Sequence, residues 1–241
     1  MAVPPGGLGA FGGLLVKGLG FTDFDATLMQ MPTGGVNMVA MIFWTWLVNK
    51  VKLRWPVASF SLVFSIFGGA VLARVDTSNI SLMMVAYYSI FLSTVQQLLY
   101  SWANLNASGS TKRVVTTATM FACMCAGNIV GPQVYLAKEA PHYRSGLYTA
   151  MSCWAALAIL IVLMGLYLQR LNKRQEARRE ALGLPAKLKD ISLMSIDEAE
   201  AYKVELMETL RASGNVDMDQ LYANSFDDMT DFENPMFIYV P

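Results

Sequence analysis

The sequence predicts an all-α polytopic membrane protein, on three observations. Of its 241 residues 54% are apolar and 15% charged, and the mean hydropathy is +0.40, whereas a soluble domain is nearer 25% charged. Long charge-free stretches follow one another along the chain. Lysine and arginine gather in alternate loops between them.

Crossing about 30 Å of hydrocarbon takes about 20 mostly apolar residues. Five full transmembrane helices are expected at about 26–49, 55–73, 82–103, 114–137 and 145–169. The third lies within a longer charge-free run whose ends, Ser78 to Ser81 and Asn104 to Ser110, are polar. A further apolar stretch, residues 8–21, is short and Gly-rich and holds Lys17, so residues 1–23 read as a truncated first span. A secretory signal would need a basic segment ahead of Leu8, and none is there.

Short loops rich in lysine and arginine stay cytoplasmic. One set of loops carries Lys50, Lys52 and Arg54, then Lys112 and Arg113, then Arg170, Lys173, Arg174, Arg178 and Arg179. The alternate set is mixed or acidic: Asp23 and Asp25, Arg74 and Asp76, then Lys138, Glu139, His142 and Arg144. The C-terminus is therefore expected in the cytoplasm and the body of the chain, residues 24–169, in the lipid bilayer. The net charge of zero hides this division. Residues 1–169 hold nine basic and four acidic side chains, and residues 170–241 hold nine and fourteen. No basic face remains for nucleic acid.

In hydrocarbon every polar group needs a partner or water, so polar residues inside the spans are where function is sought. In the first full span Pro32 removes a helix donor, and Gly34 and Gly35 loosen the next turn. This is either a packed kink or a hinge that moves. In the third span Gln96, Gln97 and Tyr100 follow helical spacing, with Asn104 just beyond it in the same register. Two amides and a phenol on one face are either interhelical glue or a substrate-facing surface. The fourth span holds Asn128, Gln133 and a second candidate hinge, Gly127, Gly131 and Pro132, whose G-x-x-x-G spacing permits close helix contact. Asn79 opens a glycosylation sequon at the membrane edge.

Several classes are excluded. Cys123, Cys125 and Cys153 lie in apolar runs and read as small core residues, not disulfides. With one histidine in the chain, no metal site is expected, and no cofactor is implied. The spans contain no Asp, Glu or His to act as acid, base or proton relay, so an enzyme is not expected. If transport is coupled to a proton, the coupling carboxylate lies outside these spans.

Four segments in order resemble one family. They are Gly20-Phe21 followed by Leu28 to Gly34, the loop Ala107 to Arg113, the run Gly127-Asn128-Ile129-Val130-Gly131-Pro132-Gln133, and the tail from Asp228 to Val240. The chain is similar to the C-terminal six-helix half of fungal major facilitator transporters of the anion:cation symporter family, the allantoate, nicotinate and vitamin permease group. The resemblance implies a twelve-helix fold whose halves rock around a midplane site. It implies transport of a small organic anion or vitamin (allantoate-, nicotinate- or pantothenate-like), with a proton as the candidate coupled ion, at the plasma membrane.

It also strengthens Gln96, Gln97, Tyr100 and Asn104 as substrate-binding residues, with Asn128 and Gln133 as second choices. The sequence departs from the family in three ways. The N-terminal half is absent, the segment Met1 to Gly7 has no family counterpart, and Ser110 stands where members often have histidine. Half a site cannot alternate access alone. The expected partner is the missing N-terminal six-helix half; the alternative is a truncated, non-transporting membrane fragment or interaction partner.

Residues 170–241 are expected to form a cytoplasmic tail. It begins with a basic helical stretch. Ser195 and Glu198 form a capping box that opens a helix over about 195–212, with Gly214 as its stop. The end, from Asp217 to Glu233, is acidic.

Overall fold

The computed structural model describes residues 1–18, 20–74, 79–107, 109–140, 142–213, 234 and 236–241. The acidic stretch expected at 217–233 and the stop expected at Gly214 lie outside them. No strand occurs among the described residues. The helices are α1 (Val3–Lys17), α2 (Asp23–Val51), α3 (Arg54–Arg74), α4 (Ile80–Ile90), α5 (Val95–Leu105), α6 (Ser110–Gln133), α7 (Arg144–Ala181) and α8 (Ile196–Ser213). Among the described residues five segments are long and apolar enough to cross a membrane: α2, α3, the α4–α5 pair, α6 and α7.

Local chemistry sets the ends. Pro4 and Pro5 sit in the first turn of α1, where a missing N–H is no loss. Thr22 caps α2 by accepting the Asp25 N–H at 3.2 Å, and Asp23 and Asp25 complement the dipole there. At the other end Lys52 turns left-handed, with φ 60°. Before α7, both carboxylate oxygens of Glu139 are taken by Ser145, from its N–H at 2.7 Å and its hydroxyl at 2.5 Å. These bonds, helped by nearby Lys138, hold the Glu139 carboxyl below the usual range.

The chain forms two compact units. The first comprises Met1–Tyr100 and Thr119–Leu163. Its densest packing is α3 on α4, where Gly68 lies against the Ala86 carbonyl, the Ser89 hydroxyl and Ile90, leaving no room for a Cβ. The spacing Gly127-x-x-x-Gly131 on α6 receives the start of α1. A Cβ on Gly127 would stand 2.6 Å from the Ala2 Cβ, and one on Gly131 would stand 2.6 Å from the Gly7 nitrogen. Tyr135 closes this crossing, pressed on Gly7 and Gly146 and stacked on Phe11 with ring centroids 5.3 Å apart. Burial is uneven: half of the most apolar stretch of α3 is covered, against 6% of that of α6.

The second unit comprises Ser101–Ala118 and Met164–Pro241. The α7 helix runs past the expected end at residue 169; its 38 residues measure about 57 Å at 1.5 Å per residue. The capping box at α8 forms in both directions: Ser195 Oγ accepts the Glu198 N–H at 3.2 Å, and Glu198 accepts the Ser195 N–H at 3.1 Å. Trp102, Leu168, Leu171, Leu210, Tyr239 and Val240 are buried in this unit.

Candidate functional site

The helix expected over 82–103 is interrupted. Its first half, α4, stops at Ile90, and α5 begins at Val95. Neither proline nor glycine lies between them; the intervening residues are Phe91, Leu92, Ser93 and Thr94. The carbonyls released by the break are satisfied from neighbouring helices. Ser65 on α3 donates to the Ile90 oxygen at 2.8 Å, and the Trp44 indole on α2 donates to the Leu92 oxygen at 2.6 Å. The Phe91 and Leu92 amides tighten the last turn onto Tyr88 and Ser89, at 3.0 and 3.2 Å. Ser93 Oγ lies 3.4 Å from Ser61 Oγ. Serine and threonine compete with the helix ladder through their hydroxyls, which favours an ending there. Thr94-x-x-Gln97 also has the capping-box pattern, a signal in the sequence for a new helix start.

A cavity of about 190 Å³ lies at this break. Its polar lining is Asn37 from α2, Ser65 from α3, Ser93 from the break, and Gln96 and Gln97 from the first turn of α5. Leu8 and Gly9 of α1, Phe91 and Trp154 of α7 supply apolar wall. No lining side chain is charged. The amides of Val95, Gln96 and Gln97 precede the first backbone bond of α5, which Leu98 makes to the Thr94 carbonyl at 3.5 Å. With the Tyr88, Ser89 and Ile90 carbonyls already engaged, the break leaves the first-turn donors of α5, and the positive end of that helix, beside the cavity.

The residues singled out from the sequence are distributed as follows. Gln96 and Gln97 line the cavity. Gln96 and Tyr100 both donate to the Met124 sulfur of α6, at 3.1 and 3.5 Å. Asn104 accepts from Thr117 at 2.8 Å, a pair within the second unit. Asn128 lies against Gly6, and Gln133 is exposed at the end of α6. The structure does not bring Tyr100, Asn104, Asn128 or Gln133 into the cavity lining. Asn37, Ser65, Ser93 and Trp154 carry no shared signal in the sequence, because a lone amide, two hydroxyls and an indole in separate spans share no spacing.

Of the candidate hinges, Gly127 and Gly131 seat α1, and Pro132 is the next-to-last residue of α6. Pro32 lies inside α2, and side chains serve the carbonyls around it. Tyr88 donates to the Met29 oxygen at 2.8 Å, and Thr33 to the Gln30 oxygen at 2.6 Å. A Cβ on Gly34 or Gly35 would meet nothing within 4 Å. Among the described residues no group of His, Cys, Asp and Glu could hold a metal ion.

No family model and no solved structure matches the chain. It is similar to curated fungal proteins. An uncharacterized transporter of Schizosaccharomyces pombe is 24% identical over 99% of the chain and 41% of its own length. An MFS-type transporter of Penicillium expansum is 27% identical over 75% of the chain and 38% of its own length. Allantoate permease of Saccharomyces cerevisiae is 25% identical over 98% of the chain and 39% of its own length. The chain spans about two fifths of the length of the curated relatives it matches. Five apolar helices and this similarity to fungal transporters make it an integral, multi-pass membrane protein.

Proposed function

We propose that this chain forms part of a secondary transporter that moves a small organic anion or vitamin by alternating access, working with a six-helix half that completes the site. The observation that carries the reading is the interrupted α4–α5 segment with a cavity at its break. Interrupted helices bind substrate near the bilayer midplane because their free backbone groups and dipole ends are available there. Here the donors of α5 and the amides of Gln96 and Gln97 suit a carboxylate.

Size narrows the substrate. Drug-sized ligands occupy pockets of roughly 300–1,000 Å³, so a cavity of about 190 Å³ favours a smaller metabolite, in keeping with an allantoate-, nicotinate- or pantothenate-like anion. The partner half is supported by α6, which carries the exposed amides Asn128 and Gln133 and is covered over only 6% of its apolar stretch. Amides facing lipid are costly, and a second bundle against α6 would remove them from it. The orientation adopted keeps the Lys112–Arg113 loop and the C-terminal segment in the cytoplasm.

The test is uptake of labelled allantoate, nicotinate and pantothenate by cells producing this chain with its completing half. Uptake of one of them is expected, with KM raised about tenfold by Gln96→Ala, the equivalent of about 1.4 kcal/mol. No uptake of any anion, or unchanged kinetics in the variant with uptake intact, counts against the reading and the site respectively.

A further inference from the structure

We propose that residues 237–240 are a releasable strap that ties the end of α5 to α7 and acts as a brake on the movement of α5. The amide of Asn106, at the end of α5, donates to the Val240 carbonyl at 3.0 Å and accepts the Val240 N–H at 2.8 Å. The amide of Asn172 on α7 does the same for Tyr239, donating at 2.6 Å and accepting at 2.9 Å. The Trp102 indole adds a second donor to the Val240 carbonyl at 2.6 Å. Two consecutive residues therefore have both backbone groups held by side chains from different helices.

The arrangement is built for an extended backbone. A primary amide presents one donor and one acceptor side by side, matching the N–H and C=O of one residue. Tyr239 and Val240 are 4% and 5% exposed, so these bonds are shielded from competing water. Arg179 extends the clamp along α7, reaching the Phe237 carbonyl at 3.5 Å. Yet the strap belongs to neither helix and has no strand neighbour among the described residues. Only hydrogen bonds and burial fix it to the two helices, so it can leave and return as a unit.

The consequence rests on the transport reading. The α5 helix carries Gln96 and Gln97 in its first turn and Trp102 near its end. A stiff helix that moves at the cavity moves at its far end, and there it must part Asn106 from Asn172 or displace the strap. The bound strap thus favours the arrangement of α5 seen here and slows the cycle, because such conformational steps often set the turnover rate.

Two measurements test this. In the chain itself, hydrogen exchange at the Tyr239 and Val240 amides should be protected, and about tenfold faster in an Asn106→Ala/Asn172→Ala variant whose α8 amides stay protected. The milder Trp102→Phe, which removes one donor and keeps an aromatic ring, should fall between the two. Unprotected amides in the wild type would overturn the strap. In the completed transporter, the double variant should raise the saturating uptake rate about twofold with KM little changed. A released strap with an unchanged or lower rate overturns the brake and leaves the transport reading standing. Absence of uptake by the wild type defeats the transport reading, and the brake falls with it.

Discussion

The indole N–H of Trp44 donates to the carbonyl oxygen of Leu92 at 2.6 Å, linking the C-terminal half of α2 to the gap between α4 and α5. A carbonyl left without a helical partner in an apolar setting needs a donor. Trp44 supplies it while its ring packs edge-on to Phe43 and Phe60. The break beside the cavity is thus held open by a residue on the same helix as Pro32.

Trp44→Phe keeps an aromatic ring and removes that donor. An unsatisfied buried carbonyl costs about 1–3 kcal/mol, and hydrogen bonds within membranes average nearer 0.6 kcal/mol. A loss of about 1 kcal/mol is expected, between those bounds. It should appear as a lower denaturation midpoint in detergent and as faster amide exchange around residues 91–95. An unchanged midpoint with unchanged exchange would mean the bond contributes nothing.

Gly131 and Gly34 make opposite predictions from the same substitution. A Cβ on Gly131 would meet the Val3 carbonyl and the Gly7 nitrogen, both backbone, so α1 itself must move. Gly131→Ala should destabilise by about 1–3 kcal/mol, the usual range for overpacking. Gly34 has open space around it, so Gly34→Ala should be neutral or stabilise the helix by up to about 1 kcal/mol. Thermal denaturation of the two variants side by side decides; equal losses would refute the assignment of Gly131 to the α1–α6 crossing. If Gly34→Ala also slows uptake without lowering stability, the bend near Pro32 moves during transport.

Features encoded over a few residues were legible in the sequence. The α8 helix starts where Ser195 and Glu198 cap it, because both partners lie within one turn. The apolar spans follow from composition and length alone. The break was not legible from proline or glycine, since it arises at Ser93 and Thr94 and is completed by Trp44 and Ser65 from distant segments. Helical spacing on a single uninterrupted helix grouped Gln96, Tyr100 and Asn104. In the folded chain Tyr100 turns to Met124 and Asn104 to Thr117, while Asn37 and Ser93 reach the cavity. The clamp of Asn106 and Asn172 on Val240 and Tyr239 joins residues 134 and 67 positions apart. No local pattern marks such pairs.

Glu139 yields a prediction with a definite sign. Its carboxylate is stabilised chiefly by the Ser145 hydroxyl, then by the Ser145 N–H, so its pKa in the folded chain lies below the ordinary value of 4.5. A depressed carboxylate contributes stability that is fully present above its unfolded pKa and is lost as pH falls through its folded pKa. The start of α7 should therefore be as stable at pH 5 as at pH 7, and should weaken below the ordinary carboxylate range. Carbon-13 titration of the Glu139 carboxyl should give a midpoint below 4.5, moving back toward it in Ser145→Ala. The stability gap between the wild type and Glu139→Gln should close as the pH is lowered. A midpoint at or above the ordinary value would show that Ser145 does not hold this carboxylate in solution.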